Sequence, residues 1–257
     1  MLNLKKVLPI FLFLITASLW SQVVKMAAIE RGTFVPLYGA TSENPVEVKA
    51  FDIDVYPVTN AQFLAFLKKN TEFSRSKIKG LFAEKSYLSH WKSEFNFGDK
   101  SLTNAPVTNV SWFVAKKYCE CQGKRLPSMD EWEYVAMADE KRIDARTKES
   151  FNKYILASYE KPKTYLSPVG KTFKNYWGVY DMHGLVWEWT SDFNSIFLSG
   201  ESRKDKGNDR NLFCGSASIN ATDLMNYAAF MRYAFRSSLK ARYTTKNLGF
   251  RCAKDIK

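Results

Sequence analysis

The sequence predicts an exported α+β domain with a high content of loop. Three observations carry this. Helix-start signals precede short amphipathic runs at three places, and many short strand-like runs are set apart by glycine and asparagine. A leader-like segment also stands ahead of all four cysteines.

The leader comes first. Lys5 and Lys6 form a basic start, Val7 to Ile15 is apolar, and Thr16, Ala17, Ser18 and Ser21 are small or polar. That order is the layout of a secretory signal peptide over residues 1–21, cleaved before Gln22. The apolar run is well short of the roughly 20 residues that span a bilayer, so a stable membrane anchor is not expected. Residues 22–257 then form one domain, located in the periplasm or secreted. Without Lys5 and Lys6 the formal charge of +12 becomes +10. The excess gathers at Lys68, Lys69, Arg75, Lys77, Lys79, Lys85 and Lys92, and at Arg203, Lys204 and Lys206. No nucleic-acid motif accompanies it, so the lysines read as a solvated face and nucleic acid is not an expected partner.

Val23 to Ala28 reads as a strand, followed by a turn at Arg31-Gly32 and a short strand near Phe34. Val46 to Tyr56 alternates as one further strand. Thr59 is the N-cap of a helix carrying Phe63, Phe66 and Leu67 on one face. Residues 68–109 are irregular, with Phe82, Tyr87, Trp91, Phe95 and Phe97 expected to pin the loop to the core. Ser111 to Cys121 is a second helix, ended near Gly123, and Ser128-Met-Asp-Glu131 is a capping box for a third. Residues 140–163 are charged and ambiguous. Trp132, Trp187 and Trp189 read as core, and Gly249 as a close backbone approach. His183 has only His90 as a companion and reads as a hydrogen-bonded core residue. Arg125 is expected to meet Glu131 or Glu133.

A set of motifs runs in order along nearly the whole mature chain. They are Asp54-Val-Tyr-Pro-Val-Thr-Asn60, Val110-Ser-Trp112, Gly123-Lys-Arg-Leu-Pro-Ser128 with Glu131-Trp-Glu-Tyr134, Gly178-Val-Tyr-Asp-Met-His-Gly184, Trp187-Glu-Trp189 and Asn247-Leu-Gly-Phe-Arg-Cys252. Together they resemble the formylglycine-generating, or sulfatase-modifying factor, family. The resemblance implies a C-type-lectin-like formylglycine-generating-enzyme fold. It also implies a disulfide between Cys119 and Cys252.

The family oxidises a substrate cysteine with oxygen at a copper(I) ion held by two thiolates, ligands whose softness suits that ion. The matching segment here is Cys214-Gly215-Ser216. Ser216 matches the family's active-site serine, but the thiolate positions fall on Ile219 and Leu224, which offer no ligand. No catalytic residue is therefore assigned. Cys121 and Cys214 remain, either as a second disulfide or as a relocated copper-binding pair. Calcium, which needs six to eight oxygen ligands, loses one where the family often has asparagine and this chain has Leu185. The loop ahead of Pro168 is also lysine-rich, so no cofactor is expected.

The segment 216–246 replaces the family's active-site region and offers Asn220, Asp223, Tyr227, Arg232, Arg236 and Arg242 for binding. Arg232 and Arg236 either grip an anionic partner or pair with local carboxylates. Two functions stay open: an accessory or binding protein without catalysis, and a formylglycine-type oxidoreductase with a relocated copper site. Leu81-Phe-Ala83, Gly184-Leu-Val-Trp187 and Phe213-Cys-Gly215 are further similar to a subgroup whose genes accompany copper nitrite reductase (the NirV-like proteins). That finer resemblance implies a periplasmic partner of that kind and a role near denitrification.

Overall fold

The computed structural model describes residues 24–36, 42, 44–194 and 224–256, without the side chains of 224–226. The expected signal peptide lies outside them. Both ends of the described chain meet in one antiparallel sheet of order β1-β4-β7, formed by Met26–Ile29, Phe51–Asp54 and Ala253–Asp255. The central strand pairs Ala28 with Asp52 on one side and Ile53 with Ala253 on the other. A second antiparallel pair joins β2 (Gly32–Phe34) to β3 (Val46–Val48). The single strand expected over 46–56 is thus two, because its first half pairs with β2 and its second with β1 and β7. A short parallel pair joins β5 (Trp187–Glu188) to β6 (Leu248–Gly249).

Local capping sets the first three helices. In α1 (Asn60–Lys69) the Gln62 N–H donates to Thr59 Oγ1, and the Thr59 N–H donates back to Gln62 Oε1 at 2.8 Å. Helix α2 (Trp112–Cys121) is capped by Ser111, and its chain reverses at Gly123 with φ +66°. Helix α3 (Met129–Ala136) has the reciprocal Ser128–Glu131 box. Glu131 also takes both forks of Arg125 at 2.7 Å, with Asp255 as a second acceptor at 2.6 Å, so Arg125 meets Glu131 and not Glu133. The ambiguous stretch contains α4 (Glu149–Tyr159), and the segment 216–246 contains α5 (Leu224–Ser237).

The larger core cluster packs Phe63, Phe66 and Leu67 of α1 against Tyr118, Phe250 and the disulfide between Cys119 and Cys252. A second cluster lies between the three-stranded sheet and α3. Tyr87 and Trp91 anchor the long loop in the core, whereas Phe82 and Phe95 remain exposed, contrary to expectation. At Gly249 a Cβ would stand 2.8 Å from the Val107 carbonyl oxygen, the close approach the motif suggests.

Candidate functional site

Arg232 and Arg236 lie one turn apart on α5 and so share a face. Both reach Glu133 of α3: Arg232 through Nε at 2.9 Å and Nη2 at 2.7 Å, Arg236 through Nη1 at 2.6 Å. All three side chains are buried. Burial alone pushes the Glu133 carboxyl up, but the two guanidiniums outweigh it and hold its pKa at about 2. Burial also opposes the charge of Arg232, and Glu133 more than restores it, leaving that pKa above its ordinary value. Arg236 lies over Trp132, 4.6 Å from the ring centre, and Arg232 Nη1 donates to the Tyr159 hydroxyl at 3.2 Å.

A second buried ion pair meets the Trp132 indole N–H. Arg251 donates to Glu188 through Nε and Nη2, each at 2.8 Å, and the Trp132 indole donates to the same carboxylate at 2.8 Å. His183 Nε2 is 2.8 Å from the Ala136 carbonyl. Burial, aided by Arg232, lowers the His183 pKa to about 3, so the ring is neutral at pH 7. Since a carbonyl only accepts, the proton sits on Nε2 and donates to it.

Trp132, Tyr159, His183, Glu188, Arg232 and Arg236 line a cleft of about 330 Å³, closed on one side by the loop after α4. Trp187 forms part of its wall, stacked on Tyr159 and Phe235 with ring centroids 4.8 and 4.5 Å apart. Lys161, Lys163 and Lys246 line it as well, and all three are exposed.

The residues expected to bind therefore divide. Arg232 and Arg236 take the bracing alternative: they are buried on Glu133 and do not form an exposed grip. Arg242 is exposed, with only a 3.9 Å pair to Glu84, and Tyr227 is exposed; neither lines the cleft. Cys214, Ser216, Ile219, Asn220 and Asp223 lie outside the described residues, and Leu224 opens α5. Cys121 is a free, exposed thiol at the end of α2, facing away from the buried Cys119. The expected Cys121–Cys214 link is thus not part of the described structure. The sequence reading missed Tyr159, Lys161, Lys163 and Lys246 as neighbours. The lysine-rich loop ahead of Pro168 was the one signal pointing to them.

Among the described residues Cys121 is the one cysteine outside the disulfide, one thiolate short of the family's copper pair. Among the described residues no group of three or more His, Cys, Asp or Glu side chains is placed to hold a metal ion. Nor does the Glu188 segment fit calcium. Its carboxylate is taken up by Arg251 and Trp132, and the Leu185 carbonyl accepts from Thr164 Oγ1 at 2.6 Å.

The sequence model of the sulfatase-modifying factor enzyme 1-like domain matches residues 17–256. The chain belongs to this family. It is 29% identical over 255 residues to the inactive C-alpha-formylglycine-generating enzyme 2 of Mus musculus, covering 84% of this chain and 79% of that protein. It is also 29% identical over 269 residues to the formylglycine-generating enzyme of Streptomyces coelicolor, covering 87% and 84%. Among solved structures CarF superposes with a TM-score of 0.50 at 17% identity, over 91% of this chain and 99% of that one, a likeness of fold alone. The family thus contains both active and inactive members, and the site must decide between them.

Proposed function

We propose that this chain is a non-catalytic binding or accessory member of the sulfatase-modifying factor family. It acts outside the cytoplasm after loss of residues 1–21 and holds a partner on its lectin-like domain. One observation carries the reading: Ile219 and Leu224 stand where the chemistry requires two thiolates. Similarity to an enzyme named inactive supports it. The test supplies a sulfatase-type cysteine peptide with copper, reductant and oxygen and looks for the aldehyde by mass spectrometry. No aldehyde above the protein-free control is expected, and its formation would overturn the reading.

The partner we propose is a periplasmic copper nitrite reductase, on the strength of the Leu81-Phe-Ala83 and Phe213-Cys-Gly215 motifs. Deleting the gene should lower nitrite reduction or copper loading of the reductase when copper is limiting. Full activity and full occupancy after deletion would remove this partner. The free Cys121 thiol is the one observation on the side of a relocated copper site. Stoichiometric copper in protein purified under reducing conditions would favour that second reading.

A further inference from the structure

The charges around the cleft do not balance. Arg232 and Arg236 share the single carboxylate of Glu133, and Arg251 neutralises Glu188. Lys161, Lys163 and Lys246 have no ion-pair partner among the described residues. Among the described residues these six cations thus pair with two carboxylates, which leaves four positive charges unmatched there. Asp192, the next carboxylate to feel Arg236, accepts the Met129 N–H and lies beyond ion-pair distance.

The hydrogen-bonding groups are unbalanced in the same sense. Among the described residues the Arg236 guanidinium makes one hydrogen bond, through Nη1. The Tyr159 hydroxyl accepts from Arg232, which leaves its own proton to donate. The cleft therefore presents donors and positive charge on its floor and mobile ammonium groups at its mouth. Low-dielectric walls lined by one sign of charge focus the field on whatever enters.

We propose that this cleft is a binding site for a compact carboxylate-bearing group, held by Lys161, Lys163 and Lys246 above Arg236 and the Tyr159 hydroxyl. Its volume of about 330 Å³ lies at the small end of the usual range for small-molecule sites. That is room for a small di- or tricarboxylate, or for one or two acidic side chains. Trp187 is stacked on two rings already, so the ligand meets it edge-on and gains little from stacking. Specificity rests on charge and donors. The inference deepens the binding reading and rests on it, but the two fail separately, since aldehyde formation tests only the absence of catalysis.

The test titrates succinate, citrate and an acetylated Glu-Glu peptide into the protein by calorimetry at pH 7 and constant ionic strength. At least one should bind saturably at a single site with Kd below ~1 mM, a modest affinity in the usual scale. Tighter binding of the free acids assigns a small-molecule ligand, and tighter binding of the peptide assigns an acidic segment of a partner. The triple variant Lys161→Gln, Lys163→Gln, Lys246→Gln should weaken binding tenfold or more. A charge-matched control, Lys79→Gln, Lys85→Gln, Lys92→Gln, lies away from the cleft and should bind as the parent does. All six lysines are exposed, so both variants are expected to fold, and their unfolding midpoints check it. Absence of saturable binding by all three probes, or equal weakening in the two variants, overturns the assignment.

Discussion

Replacing Glu133 by glutamine should destabilise the protein by about 3–5 kcal/mol, the usual effect of removing one partner from a buried ion pair. The structure accounts for the size. Glu133 accepts from three nitrogens of Arg232 and Arg236 at 2.6 to 2.9 Å, and none of the three side chains can turn to water. Linkage gives a similar figure: the interval from the ordinary 4.5 to about 2, at 1.36 kcal/mol per pH unit, is about 3 kcal/mol. Because the folded-state pKa is depressed, this stability is fully present above pH 4.5 and is lost as pH falls toward 2. The buried His183, lowered to about 3, adds acid sensitivity of its own below 6.5. The difference between parent and variant, measured by urea unfolding from pH 7 to pH 3, separates the Glu133 part. Arg242→Ala serves as the control, since an exposed pair at 3.9 Å contributes at most about 0.5 kcal/mol. A loss below about 1 kcal/mol for Glu133→Gln, or a difference independent of pH, would refute the reasoning.

The Cys119–Cys252 bridge closes a loop with a sequence separation of 133, so its removal should cost at most about 4–5 kcal/mol in the chain-entropy model. Alkylation of unreduced protein should label Cys121; a non-reduced peptide joining Cys121 to Cys214 would instead restore the second disulfide. Gly249→Ala places a methyl group 2.8 Å from the Val107 carbonyl oxygen and should lower stability by about 1–3 kcal/mol, read as a shifted unfolding midpoint.

Much of the fold was legible because much of it is set locally. Thr59, Ser111 and Ser128 cap their helices through residues three positions away, and a window of four letters contains the whole interaction. Helix α5 was not legible. Its buried face is Ala228, Arg232, Tyr233 and Arg236, so the apolar period that announces a helix is interrupted by two arginines. Their partner, Glu133, lies 99 and 103 residues earlier, where it had been weighed only as a partner for Arg125. The break between β3 and β4 was hidden for a different reason. The alternation shifts phase by one residue at Ala50-Phe51, with inward positions Val46 and Val48 before it and Phe51 and Ile53 after it, a shift that a single eleven-residue window passes over. The cleft was least legible of all. It assembles Tyr159 to Lys163, His183 to Trp187, the α5 arginines and Lys246, four stretches with no common motif.

The arrangement of Arg232, Glu133 and Arg236 also bears on why charge is buried here at all. A buried ionic cluster often stabilises no more than well-packed apolar side chains of the same volume would. Stability alone therefore does not explain two guanidiniums on one carboxylate. Position offers a better account. The cluster clamps α5 to α3, and the same geometry leaves Arg236 Nε and Nη2 without acceptors among the described residues beside an open cleft. A second carboxylate next to Glu133 would have completed the pairing and cancelled the field. Among the described residues neither Arg236 nor Lys161, Lys163 and Lys246 has a further carboxylate within ion-pair distance, which leaves the floor positive beneath the three lysines. In the proposed site, bracing and recognition then meet in Arg236. On the proposed reading, a family member with Ile219 and Leu224 at the thiolate positions keeps its fold while this cleft serves a carboxylate ligand.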